Sequence, residues 1–151
     1  YTDPIYGLPA HWAPNDLLFY TGNMFPDRYK NGAFIAFHGS TNRAPYPQAG
    51  YVIGFIPFKD GLPSGNLEIF ADGFANVEII KDVKDAMYRP MGLAEGPDGS
   101  LYVSESKKGK IWRVIFDANK KEFGDNNLEN MERRKYLPHI KTPTEFRDIV
   151  K

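Results

Sequence analysis

Two arginines carry the chemistry most worth weighing in this sequence. An arginine side chain holds a planar, permanently charged fork that grips a carboxylate through two parallel bonds. Arg43 and Asn42 end the loop His38-Gly39-Ser40-Thr41-Asn42-Arg43, held by Gly39 and flanked by prolines. Arg89 precedes Pro90, which biases it towards an extended backbone just before the run Met91-Gly92-Leu93-Ala94. Two guanidinium groups held close repel unless an anion joins them, so a site containing both would take an anionic ligand. Each residue also has a plainer reading. Arg43 could anchor its own loop, Arg89 could sit free at a loop mouth, and His38, after an apolar run, could be a hydrogen-bonded structural residue.

Other chemistries lack their residues. The chain has no cysteine, which excludes disulfides, thiolate zinc sites, iron–sulfur ligation and a thiol nucleophile. Asp60, Asp72, Asp82 and Asp85 do not follow a calcium-loop spacing. Gly61 and Gly65 bound a turn rather than a phosphate cradle, and there is no Gly-x-Ser-x-Gly elbow. Lys107, Lys108 and Lys110 read as a solvated hairpin tip, and His139 reads as a surface residue of the tail. Nineteen basic residues balance nineteen acidic ones, so the basic excess of a nucleic-acid binder is missing. No apolar run is long enough to span a bilayer.

The elements that must position these side chains are strands. Fourteen glycines and twelve prolines break helices, and an aromatic content of 15% favours sheet. Short apolar runs at 17–20, 33–37, 51–58, 67–70, 91–94, 101–104 and 111–116 read as strands separated by turn signals. Gly99, in Pro97-Asp98-Gly99, is expected at positive φ. After residue 118 the chain turns polar. A short helix is expected within 125–136, and a second at Thr142-Pro143-Thr144-Glu145, where a capping box meets Pro at the first helical position.

One pattern occurs twice: turn, strand, loop, Gly, strand, at 31–56 and again at 98–115, each after a further strand. Such spacing suits a β-propeller blade, and a β-sandwich gives similar local signals. The length supplies two to three blades, too few to close a ring. The expected architecture is therefore all-β: a portion of a propeller over 1–118, with a polar tail carrying short helices over 119–151.

Several stretches together resemble the soluble quinoprotein glucose/sorbosone dehydrogenase family. They are His11-Trp12-Ala13-Pro14, Leu18-Phe19-Tyr20-Thr21-Gly22, Phe25-Pro26-Asp27-Arg28-Tyr29, the His38–Arg43 block, Arg89-Pro90-Met91-Gly92 and Pro97-Asp98-Gly99-Ser100-Leu101-Tyr102. The chain departs from that pattern at Trp12, Asn15, Asp16, Thr41 and Tyr88. The resemblance implies the C-terminal part of a six-bladed propeller that holds pyrroloquinoline quinone (PQQ) over its channel. It places Arg89, Arg43, Asn42, His38 and His11 at the cofactor, and the catalytic base and the Ca²⁺ ligands outside this chain.

It further implies oxidation of an aldose-type sugar C–OH, hydride transfer to the quinone, and a cytochrome as electron acceptor. The remaining propeller blades or a companion chain would be partners, and the location periplasmic or secreted. A propeller that binds carbohydrate or protein without catalysis is the alternative, favoured by the altered residues at 12, 15, 16 and 41. An unrelated β-sandwich is the third reading.

Overall fold

The computed structural model describes residues 2–140. It is all-β with one short helix, as expected, and the Thr142–Glu145 motif lies outside the described residues. Nine strands follow the chain: β1 (Pro14–Phe19), β2 (Ala33–Phe37), β3 (Val52–Ile56), β4 (Phe58–Lys59), β5 (Leu62–Pro63), β6 (Glu68–Ala71), β7 (Pro90–Glu95), β8 (Leu101–Glu105) and β9 (Ile111–Val114). Helix α1 (Asp125–Arg133) comes last. The run at 51–58 divides at Pro57. Its end pairs with Leu62 and Pro63 as a two-stranded ribbon rather than continuing the sheet.

The strands form two antiparallel meanders. The first sheet has four strands in the order β1-β2-β3-β6, and the second has three in the order β7-β8-β9. The repeat extends to detail. The ladder β1–β2 is interrupted between Pro14 and Asp16, and β7–β8 between Pro90 and Gly92, so each leading strand carries a bulge after its proline. The two leading strands are linked directly: the Leu93 amide donates to the Asp16 carboxylate at 2.7 Å.

Alternation along β2 and β3 divides the core. Phe34 and Ala36 pair with Phe55 and Ile53 on one face, which packs on Leu101 and Val103 of the second sheet. Tyr20, Phe25, Tyr29 and Phe70 complete that aromatic layer, with edge-to-face contacts such as Phe34–Phe70 at 4.6 Å. Ile35, Phe37, Val52 and Ile56 face the other way and are covered by Tyr6, Leu8 and Trp12 before β1 and by Leu137 and Ile140 after α1. Every residue of β2 and β3 is thereby buried.

Gly99 sits at φ +81°, as its turn requires. Its carbonyl accepts the Tyr20 hydroxyl at 2.7 Å, tying the second sheet's turn to the end of β1.

His139 corrects its sequence reading. It is 5% exposed, not a surface residue. Its Nε2 lies 2.8 Å from the Asp72 carboxylate, and its carbonyl accepts the Gly50 amide at 2.9 Å. Arg134 donates to the Phe70 carbonyl at 2.8 Å. Residues 134–140 are thus fastened to the first sheet through three groups that the polar composition of this segment does not reveal.

Candidate functional site

Four of the five expected residues meet at one place. His11, His38, Asn42 and Arg89 line a cleft of about 480 Å³ together with Ala13, Pro14, Gly39, Ser40 and Thr41. The cleft lies where the loop leaving β2 meets the entry to β1 and the entry to β7.

The backbone there is fixed by a zip of hydrogen bonds. The His38 amide donates to the Ala13 carbonyl, the Gly39 amide to the Trp12 carbonyl, and the Ser40 amide to the Ala49 carbonyl, all at 2.8–2.9 Å. Gly39 takes φ +89°, and a Cβ there would lie 2.5 Å from the Tyr51 ring. Only glycine allows that approach. The Tyr51 hydroxyl donates to the Ser40 carbonyl at 2.5 Å, closing the loop from behind. Ser40 Oγ donates to Gln48 Oε1 at 2.6 Å and accepts the Ala49 amide at 2.9 Å.

Arg89 reaches the cleft from the second sheet. Its Nε donates to the His38 carbonyl at 3.1 Å and its Nη2 to the Gly39 carbonyl at 2.7 Å. The guanidinium stands 5.5 Å from the Tyr51 ring centroid, within cation–π range. One arginine therefore clamps the loop of the first sheet and charges the cleft. Two of its five donors thus hold the loop, and the others remain for a ligand.

Arg43 does not line the cleft. It is 5% exposed, and its Nη1 donates to the Pro47 carbonyl at 3.0 Å. Burial pushes its pKa down, opposed by Tyr46. Its guanidinium turns to its own loop because the turn at Ala44 and Pro45, closed by the Tyr46 amide on the Arg43 carbonyl at 2.9 Å, brings the Pro47 carbonyl back to it, the anchoring role. The expected Arg43–Arg89 pair around one anion is not formed.

His38 Nε2 lies 2.7 Å from Ser106 Oγ. Burial lowers its pKa, the Arg89 charge adds to this, and Glu105 opposes it, so the surroundings favour the neutral ring. His11 is exposed and held at φ +65°.

Sequence reasoning missed the support behind Arg89. Glu105 is 5% exposed and accepts the Lys107, Lys108 and Lys110 amides at 2.7, 2.6 and 3.0 Å. This carboxylate shapes the β8–β9 turn so that Ser106 faces His38, and the Ser106 amide donates to the Arg89 carbonyl at 3.2 Å. A lone acidic residue before three lysines was the only signal for it.

Comparison with known proteins places the chain. The profile of the TrAA12-like family matches residues 1–116. An uncharacterised protein of Borreliella burgdorferi is 37% identical over 114 residues, which is 75% of this chain and 28% of the relative. A calcium structure and an iodide structure of the family AA12 carbohydrate-active enzyme from Trichoderma reesei each show 26% identity and a TM-score of 0.45. Each covers 68% of this chain and 24% of the other. The chain thus spans little more than a quarter of the relative it matches. The expected membership of the glucose/sorbosone dehydrogenase family is overturned by the profile match: the chain belongs to the TrAA12-like family, which is related to a different group of PQQ-linked oxidoreductases.

Proposed function

We propose that the cleft of His11, His38, Asn42 and Arg89 is this chain's share of a PQQ site in a quinone-dependent oxidoreductase. One observation carries the reading: among the described residues Arg89 is the only permanently charged group lining the cleft, and no carboxylate lines it. A fixed cation beside neutral donors suits a carboxylate-bearing ligand. The cleft volume of about 480 Å³ falls in the range of small-molecule sites.

The residues present fit such a group. Arg89 would hold a ligand carboxylate with the donors left over from its loop clamp. Asn42 and Thr41 would add neutral hydrogen bonds from the loop tip. Neutral His38, fixed against Ser106, would offer its ring without adding charge. A bound quinone supplies a two-electron acceptor. The chain's residues bind and orient it, and the proton-accepting base and Ca²⁺ ligands would come from other parts of the protein. The finer reading is an aldose-type sugar as substrate, a cytochrome as acceptor, further blades as partners, and a periplasmic or extracellular location. Among the described residues no helix is long and apolar enough to cross a membrane.

A binding propeller without catalysis is the second reading, favoured by Arg43 turning away from the cleft. One assay separates them. The full-length protein, given PQQ and Ca²⁺, is tested for sugar-dependent reduction of an artificial dye. Dye reduction supports the oxidoreductase. PQQ binding without reduction keeps the quinone site and overturns the sugar substrate, and failure to bind PQQ overturns the oxidoreductase and favours the module that binds carbohydrate or protein.

A further inference from the structure

The histidine of the cleft is held from the other sheet. His38 follows β2 and Ser106 follows β8, and the two stand at equivalent places in the two meanders. Pro14 pairs with Phe37 as Pro90 pairs with Glu105. The next residue in each case donates its amide to the residue before the proline: His38 to the Ala13 carbonyl at 2.9 Å, Ser106 to the Arg89 carbonyl at 3.2 Å. The Glu105 carboxylate braces the far side of Ser106 by accepting the Lys107 and Lys108 amides at 2.7 and 2.6 Å. Both backbones are therefore fixed where His38 Nε2 and Ser106 Oγ meet, 2.7 Å apart.

Which of these two atoms donates decides what the ring offers to the cleft. The Ser106 hydroxyl carries one proton, and among the described residues His38 Nε2 is its only hydrogen-bond partner. A separation of 2.7 Å suits a donating hydroxyl, whereas a donating N–H lies nearer about 2.9–3.0 Å from its acceptor. Donation by Ser106 puts the ring's own proton on Nδ1. Among the described residues Nδ1 has no partner, and His38 lines the cleft beside Arg89.

We propose that Ser106 is a positioning residue: its hydroxyl holds the His38 ring as the Nδ1–H tautomer, so that His38 donates to an acceptor oxygen of the ligand whose carboxylate Arg89 grips. Two donors side by side, one charged and one neutral, select a ligand that carries a carboxylate and a second acceptor oxygen. A ligand that places an amine there meets donors alone and is rejected. The part that concerns the ligand rests on the quinone reading; the state of the ring does not.

Nitrogen-15 NMR of the His38 ring in the unliganded full-length protein at about pH 8, assigned by its loss in His38→Asn, reads the tautomer. The wild type is expected to show a protonated Nδ1 and an unprotonated Nε2, and Ser106→Thr, which keeps the hydroxyl, to match it. Ser106→Ala is expected to give a mixture of tautomers and to bind PQQ about three- to tenfold more weakly, with the Gly39 amide as protected from exchange as in the wild type. A protonated Nε2 in the wild type overturns the proposal. So does Ser106→Ala with the wild-type tautomer, whatever its affinity, because Ser106 would then be structural only. A protonated Nδ1 in a protein that binds no PQQ overturns the quinone reading and keeps Ser106 as the group that sets the ring.

Discussion

The two sheets share a strand plan and a bulge position, yet they are buried differently. In the first, β2 and β3 are buried along their whole length because chain from both ends of the described region lies over the outer face. In the second, β8 alternates buried and half-buried residues. Its outward face leaves Ile111 69% and Met91 43% exposed. The same meander is therefore a finished layer in one place and a half-finished one in the other. Sheet topology alone does not make a core: the covering segments do, here through Trp12, Leu137 and Ile140.

The comparison breaks most visibly at the shared layer. Phe34→Ala empties a position enclosed by Tyr20, Phe25, Tyr29, Phe55 and Phe70. It is expected to cost about 3–5 kcal/mol, read as a fall in the denaturant midpoint. Next is the fastening of the covering segment. His139→Ala removes the bond to Asp72 and opens the outer face, at a cost of about 2 kcal/mol by the same measurement.

That fastening has a pH signature. Burial alone would push the Asp72 carboxyl up, but its bonds to His139 and to the Gly73 amide, with the His139 and Arg134 charges, leave it below the ordinary carboxylate value. A carboxyl depressed on folding stabilises the fold above its unfolded pKa, and this contribution is lost as pH falls through the folded pKa. Unfolding titrations are expected to show wild type and Asp72→Asn diverging above about pH 4 and converging in acid. A constant gap down to the lowest pH would remove this account of the clasp.

Gly99→Ala strains the turn that joins the sheets. The new Cβ would meet the Met24 amide nitrogen at 2.9 Å, at a φ of +81°. The expected cost is on the order of 1–2 kcal/mol, seen as a lowered Tm. The smallest effect sharpens the contrast: Ile111→Ser on the uncovered face is expected to change the stability of the isolated chain by less than about 0.5 kcal/mol. A loss as large as at Phe34 would mean that this face is covered within the chain itself.

Much of the fold was legible because its signals are local. Alternating apolar runs between Gly and Pro turns located the main strands, and Ala33–Phe37 agrees to the residue. The loop residues His38 and Asn42 and the distant His11 and Arg89 do converge. What stayed hidden depends on contacts far apart in sequence. Arg43 looked equivalent to Arg89, but the turn at Ala44 and Pro45 sends its fork back onto its own loop. Glu105 did not stand out, and His139 looked like a surface residue, because burial of a polar group follows from partners, here backbone amides and Asp72, that no spacing rule identifies. The family motifs misled in a related way. Short blocks such as Arg-Pro-x-Gly pointed to one family, and the match over residues 1–116 places the chain in another.

The central claim is that Arg89 gives the cleft its affinity for an anionic quinone. The direct measurement is equilibrium titration of PQQ into the full-length protein, comparing wild type with Arg89→Lys, which keeps the charge but removes the fork. The account predicts saturable binding by the wild type and at least about tenfold weaker binding by the variant, equivalent to about 1.4 kcal/mol, with the His38 loop still ordered by amide exchange. Equal affinity in the two proteins, or no PQQ binding by the wild type, would contradict it.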